Sequence, residues 1–139
     1  MKLLLPRIIA FIAGLFCLVA GLYVLWQPLK VSLKLSYAFE TLAGLSEFLV
    51  FYGGFSIGMG IFFLVGAIIK RYLEASLLFL AVSSLAALLT RTAIIFGSEV
   101  QEFFYLLYAG EILLFILGSI GWIICRQHFI KLKTARKKI

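Results

Sequence analysis

Three ionisable residues stand within otherwise apolar stretches of this sequence: Glu47, Arg91 and Glu111. If those stretches cross a membrane, each charge at mid-bilayer costs at least ~2.5–3.5 kcal/mol on insertion scales, so it faces the interior and finds a partner. One cation between two acids can hold a small ligand, a lipid headgroup or a proton. Tyr108 stands three residues before Glu111, a spacing that predicts a hydrogen bond from its hydroxyl to the carboxylate. The structural alternative is that Arg91 pairs with Glu111 only to hold two helices in register.

The composition decides that these stretches lie in lipid. Of the 139 residues, 64% are hydrophobic and 14% charged, and the mean hydropathy is +1.15. A soluble domain has ~45–50% apolar and ~25% charged residues, and disorder requires low hydrophobicity, so both classes are excluded. The length allows one domain. We therefore predict a single integral membrane domain over residues 1–139.

Four segments are long and apolar enough to cross a ~30 Å hydrocarbon core as helices. They lie at about 8–26, 47–69, 75–96 and 103–125, and a basic tail follows over 126–139. Their apolar runs are continuous, whereas a transmembrane barrel needs alternating segments of ~10 residues. The first run is also longer than the ~7–15 apolar residues of a signal peptide, which predicts a retained helix. The sequence thus predicts an all-α, four-transmembrane-helix bundle.

The three charges fall at similar depths in these spans. Arg91 lies five residues before Phe96 and Glu111 lies eight residues after Phe103. At ~1.5 Å per residue these separations place them ~8 Å and ~12 Å below the same membrane surface. Glu47 opens span two at that surface. A Glu47–Arg91–Glu111 cluster, with Tyr108 beside it, is therefore predicted in the outer half of the bundle.

The distribution of basic residues predicts the orientation, because cytoplasmic loops carry an excess of Lys and Arg. Ten of the 13 basic residues fall on the side that holds both termini and Lys70–Arg71, and only Lys30 and Lys34 fall on the other. Both termini are therefore predicted to be cytoplasmic, with the protein in the cell inner membrane. The net charge of +7 reflects this topology and a basic tail that can rest on anionic lipid headgroups, so no nucleic-acid partner is implied.

The connections between spans differ in length. The loop after span one runs from Gln27 to Ser46; its alternating first half, Lys30–Ser36, predicts an extended, strand-like segment. Its second half, Tyr37–Leu45, predicts a short interfacial helix. The whole loop is either a cap on the bundle or a lid over a site. The other two loops, Lys70–Glu74 and Gly97–Glu102, are predicted to be short hairpin connections.

Small residues predict where the helices approach one another, because lipid already solvates large apolar side chains. Gly14 and Gly21 share one face of span one, Gly54 and Gly58 form a GxxxG pair in span two, and Gly118 lies in span four. These faces pack either within the bundle or in a homo-oligomer or larger membrane complex. The sequence leaves both alternatives open.

The sequence lacks the residue patterns that most catalytic and cofactor-binding sites require. Cys17 and Cys125 differ in depth and form no CxxC pair, and the single His128 lies among basic residues, so we expect no disulfide, metal or other cofactor. No nucleotide-binding or hydrolase motif occurs. We therefore expect a non-catalytic binding or accessory component of the membrane. The alternative is a transporter or channel-like subunit that uses the charge cluster as its polar site, and an enzyme comes third.

One stretch of span two, Ser46–Gly54, reads Ser-Glu-Phe-Leu-Val-Phe-Tyr-Gly-Gly. Together with Leu89-Thr90-Arg91-Thr92 and Glu111 it resembles a bacterial four-helix membrane family, domain of unknown function 4345. In that family's pattern Glu47, Tyr52, Gly53, Gly54, Arg91 and Glu111 fill the expected places. The family often has a basic residue two positions after the first Glu, where this chain has Leu49. The resemblance covers spans two to four and implies a bacterial inner-membrane protein, without an assigned activity.

Overall fold

A computed structural model describes residues 3–95 and 102–136 of the chain. Within those ranges the protein is helical, with no strand. The elements are α1 (Leu4–Trp26), α2 (Pro28–Lys34), α3 (Leu42–Phe48), a π-helical segment (Leu49–Phe55), α4 (Ser56–Ile68), α5 (Lys70–Ile95) and α6 (Glu102–Arg136). Because α3, the π-helical segment and α4 are continuous, we call Leu42–Ile68 span two.

Four helical stretches are long and apolar enough to cross a membrane, which confirms the predicted fold class. They are Leu4–Trp26, Leu42–Ile68, Lys70–Ile95 and Phe104–Lys131. Each begins or ends a few residues outside the predicted bounds, because helix formation continues past the apolar run into the flanking polar residues. The basic segment that follows span four is part of α6 as far as Arg136.

Neighbouring spans are antiparallel. Gly14 of α1 lies against Gly60 of span two, whereas Gly21, two turns later, lies against Gly53. On the other side of the bundle, Ala81 of α5 lies against Gly118 of α6. The bundle consequently has two ends. We call the end with the start of α1 and the end of α6 the terminal end, and the opposite one, where α1 and α5 finish, the loop end.

The apolar core lies in the half of the bundle nearer the terminal end. Its buried residues come from all four spans: Ile9, Ala10, Ala13, Phe63, Ala67, Leu73, Leu77, Leu80 and Cys125. Toward the loop end the packing is looser, since no residue of 85–95 in α5 or 104–117 in α6 is buried. The loop-end halves of α5 and α6 therefore offer partly accessible surface to a ligand or to lipid.

Gly14, Gly21 and Gly118 lie at close helix contacts, whereas Gly54 and Gly58, for which bundle packing and self-association were alternatives, do not pack against another helix among the described residues. A Cβ atom at either of these positions would meet nothing within 4 Å. Both instead line an open apolar groove with Phe55 and Phe62. The glycines of span two that face α1 are Gly53 and Gly60, whose separation of seven matches that of Gly14 and Gly21. Self-association through Gly54 and Gly58 stays a prediction.

The first half of the long loop is the helix α2, not the predicted extended segment. Pro28 begins it, as proline favours the first helical turn, and the buried Ser32 hydroxyl donates to the Leu29 carbonyl. In the second half the chain is non-helical until α3 begins at Leu42, one residue after Thr41, whose side chain accepts from the Gly44 N–H.

A tight turn after α2 directs the chain back onto span two. Ser36 has a φ of 58°, in the left-handed region that glycine usually occupies. The Tyr37 N–H donates to the Ser32 carbonyl and the Ser36 N–H to the Leu33 carbonyl, which together form a Schellman motif. Because of this turn the side chain of Tyr37 reaches span two.

The connection between span two and α5 is shorter than predicted. Only Ile69 is non-helical, and Lys70–Glu74, predicted as a loop, already form the first turn of α5. The extended backbone at Ile69 reverses the direction of the chain. The Ile69 N–H still donates to the Val65 carbonyl, which completes the last turn of α4. The third predicted loop, 97–102, lies outside the described residues except for Glu102, which begins α6.

Candidate functional site at the loop end

Arg91 and Glu111 form an ion pair between α5 and α6. The Arg91 Nε donates to Glu111 Oε1 at 2.7 Å, and the two side chains are 26% and 17% exposed. Arg91 lies one turn before the end of α5, and its guanidinium also stacks over the Phe104 ring, 5.1 Å from the ring centre. The cation is therefore held from two directions by residues of α6.

The second oxygen of this carboxylate is left over. Glu111 Oε2 is buried and has no hydrogen-bond partner among the described residues. The terminal nitrogens of Arg91 likewise donate to no residue that the structure describes. A bidentate arginine–carboxylate pair would use both oxygens. This pair uses one, so it retains both an acceptor and donors for a third group.

Tyr108 does not donate to Glu111, so that prediction is wrong. Its hydroxyl lies 3.0 Å from Thr92 Oγ1, which itself donates to the Leu88 carbonyl at 2.7 Å. Since the single Thr92 hydroxyl proton is committed to the carbonyl, Tyr108 must be the donor to Thr92. Tyr108 thus forms a second contact between α5 and α6, one turn from the ion pair. Its hydroxyl proton is therefore not donated to Glu111 Oε2.

Glu47 lies apart from the pair. It is exposed on α3 and forms no ion pair with a described residue. The predicted cluster requires span two to be a regular α-helix from Glu47 onward, but the segment Leu49–Phe55 is π-helical, and its wider turns rotate the helix faces on either side of it relative to one another. The three-residue cluster is therefore not joined by direct contacts in this structure.

Glu47 instead borders a recess of about 680 Å³ whose walls are mainly aromatic. We call it the aromatic recess; it is lined by Tyr37, Ala38, Phe39, Gly44, Glu47, Phe48, Phe51, Tyr52 and Ser56. Two of the walls are tied together by a 2.8 Å hydrogen bond between the hydroxyls of Tyr37 and Tyr52. Arg91 and Glu111 lie within electrostatic range of the Tyr52 hydroxyl. The recess and the ion pair therefore lie at the same end of the bundle.

The sequence alone does not predict most of this wall. Tyr52 is indicated only by the family resemblance, and Tyr37 and Phe39 fall in the segment that is predicted to be an interfacial helix. The available signal was the density of aromatic residues on both sides of Thr41, from Tyr37 to Tyr52. Their convergence depends on the left-handed turn at Ser36, which no glycine marks in the sequence.

A comparison of the sequence with protein-family models gives a match. The model for the domain of unknown function DUF4345 matches residues 5–122, most of the chain and all four spans. The chain belongs to the DUF4345 family. The resemblance seen in spans two to four is thereby confirmed and extends to span one. Comparisons with curated proteins and with solved structures give no significant match.

The described residues of this DUF4345 protein contain few groups that could hold a metal ion. Within the described residues no three His, Cys, Asp or Glu side chains lie close enough to hold a metal ion, and Cys17 and Cys125 are free thiols. The loop end of the bundle offers a guanidinium, a carboxylate oxygen and an aromatic recess with a second carboxylate. These groups can form ion pairs and hydrogen bonds.

Proposed function

We propose that this DUF4345 protein is a non-catalytic binding component of a bacterial inner membrane, which holds a small molecule or lipid headgroup at the Arg91–Glu111 pair. The single observation behind the proposal is the buried Glu111 Oε2 without a described partner. An unsatisfied buried acceptor loses the hydrogen bond that water would supply, so a partner that restores it is favoured.

The remaining donors of Arg91 complete the site. A ligand with a hydroxyl or amine donor can bond to Glu111 Oε2 while an acceptor of the same ligand receives the terminal N–H groups of Arg91. A phosphate or carboxylate group next to a hydroxyl or amine has this chemistry. Both side chains are part-exposed and no residue of 85–95 or 104–117 is buried, so a small movement of the Glu111 side chain would bring Oε2 within reach of a ligand.

The packing near the terminal end supports binding over transport. Between the ion pair and that end lie Phe63, Leu73 and Leu77, all buried. The hydroxyls of Ser76 and Ser83 in this region donate to carbonyls of their own helix. A transporter using Glu111 and Arg91 would need a second polar opening through this core, so a site reached from the loop end alone fits better.

Native mass spectrometry of the purified protein tests this proposal. We expect the wild type to retain a bound small molecule or lipid that the double variant Arg91→Leu, Glu111→Leu lacks. The matched control is Lys30→Leu, Glu40→Leu, which also removes one cation and one acid, but at exposed positions; it should retain the bound species. Identical spectra for the wild type and the Arg91–Glu111 double variant would refute a binding role for this pair.

We also propose that the loop end faces away from the cytoplasm, since ten basic residues fall in the sequence segments predicted on the side of both termini and two fall in the loop after α1. Cysteine-accessibility labelling in intact cells checks the orientation. Glu40→Cys, in the exposed turn before α3, should react with a membrane-impermeant maleimide, and Gln127→Cys on α6 should react only after lysis. The native Cys17 and Cys125 are common to both variants. The reverse labelling pattern would overturn the orientation.

A further inference from the structure

We infer that the aromatic recess is a binding site for an organic ammonium group. The inference goes beyond the proposed function, because neither Arg91 nor Glu111 is among the residues that line the recess. Its volume of about 680 Å³ falls within the ~300–1,000 Å³ of ordinary small-molecule pockets.

The walls of the recess present aromatic faces to a cation. Phe48 is the buried centre of the wall: its ring lies 5.4 Å from that of Tyr37, 5.2 Å from Phe39 and 4.8 Å from Tyr52. Around this centre, Phe51, Tyr37 and Tyr52 remain 63%, 44% and 38% exposed. The face of an aromatic ring attracts a cation placed within ~6 Å of its centre. The exposed rings thus offer cation–π contacts that no described residue uses.

The wall is held in place before a ligand arrives. The Tyr37–Tyr52 hydrogen bond joins the loop before α3 to the π-helical segment, and the contacts with Phe48 fix both rings. The Schellman turn at Ser36 sets the path of the chain into this wall. A pre-organised wall reduces the ordering cost that a flexible loop would pay on binding.

The charge of the recess selects a cation. Glu47 is the single ionisable acid among the lining residues, no Lys or Arg lines the recess, and the Glu47 carboxylate pairs with no described side chain. The recess therefore carries one uncompensated negative charge. An anionic molecule would be repelled by it and a neutral one would gain at most a hydrogen bond, whereas an ammonium group gains both the charge of the carboxylate and the ring faces.

A metal ion fits the recess less well than an organic cation. Hard ions such as Ca²⁺ require six to eight oxygen ligands, and Mg²⁺ an octahedral set of oxygens. One carboxylate and mostly aromatic walls cannot replace that shell. An alkylated ammonium group can instead lie against ring faces, which is how quaternary ammonium ligands are recognised in aromatic cages. The ammonium group belongs either to a free small molecule or to a lipid headgroup, since the recess lies at the loop end.

Titration calorimetry of the full chain in an uncharged detergent tests the inference with choline as the probe. We expect saturable choline binding, and at least roughly tenfold weaker binding of 3,3-dimethylbutan-1-ol, its uncharged isostere. Glu47→Gln and Phe51→Leu should each weaken choline binding by roughly fivefold or more. The matched controls are Glu40→Gln and Phe55→Leu, which make the same changes at exposed positions outside the recess and should bind as the wild type does.

Nanodiscs distinguish the two sources of the ammonium group. Weaker choline binding in phosphatidylethanolamine nanodiscs than in nanodiscs of an uncharged galactolipid, neither of which carries net surface charge, would identify the lipid headgroup as the competitor, and equal binding would identify a free cation. The inference is overturned if choline does not bind saturably in detergent, if its uncharged isostere binds as well, or if Glu47→Gln changes nothing. The Arg91→Leu, Glu111→Leu variant should retain choline binding, so failure of the inference and failure of the proposed function give different results.

Discussion

Arg91→Leu should unfold far more readily than the double variant Arg91→Leu, Glu111→Leu. Removing Arg91 alone leaves the Glu111 carboxylate largely buried between α5 and α6 without the 2.7 Å bond to Arg91 Nε. Breaking a buried pair from one side costs ~3–5 kcal/mol, whereas replacing both partners by apolar residues is often close to neutral. We expect a loss near the lower end of that range, since both side chains retain some exposure.

Unfolding in detergent, followed by circular dichroism against temperature or denaturant, measures this difference. The control is Arg7→Leu, which makes the same change at an exposed position of α1 and should leave the free energy of unfolding almost unchanged. Equal stability of Arg91→Leu and the double variant would mean that the carboxylate is satisfied without Arg91, and would contradict the importance of the pair.

The level of this pair in the bundle was predictable from the sequence, because the rise per residue of a helix is fixed and two antiparallel helices share a membrane surface. The hydrogen-bond partner of Tyr108 was not. The Tyr108 hydroxyl has two candidate acceptors, Glu111 on its own helix and Thr92 on the neighbouring one. Spacing along the sequence predicts only the contact with Glu111. Choosing between them requires the relative rotation of α5 and α6, which is set by side-chain packing.

The position of Glu47 and the aromatic recess escaped prediction for a related reason. Face assignments assume a constant 3.6 residues per turn, and the π-helical segment Leu49–Phe55 breaks that assumption in the middle of span two. The loop before it contributes Tyr37 through a left-handed turn at a serine, where propensity alone would expect glycine. Local irregularities of this kind depend on tertiary contacts, so the periodicity of the sequence does not record them.

Two glycines of α4, Gly58 and Gly60, should respond in opposite ways to substitution by alanine, as measured by the free energy of unfolding. A Cβ at Gly60 would lie 2.6 Å from the backbone nitrogen of Leu18 and 2.9 Å from the Gly14 carbonyl oxygen. These are backbone atoms that cannot rotate away, so Gly60→Ala must separate α1 from α4. Forcing extra atoms into a packed contact costs ~1–3 kcal/mol.

Gly58→Ala is the matched variant, two residues earlier on the same helix, and its Cβ would enter the open groove beside Phe55 and Phe62. It should leave the free energy of unfolding unchanged or raise it by up to ~1 kcal/mol, because alanine restricts the unfolded chain more than glycine does. Denaturant unfolding of both variants in the same detergent measures the contrast. If both lose stability equally, Gly58 packs against another helix and the face of α4 that meets α1 is wrongly assigned; if neither does, α1 and α4 do not approach as closely as Gly14 and Gly60 require.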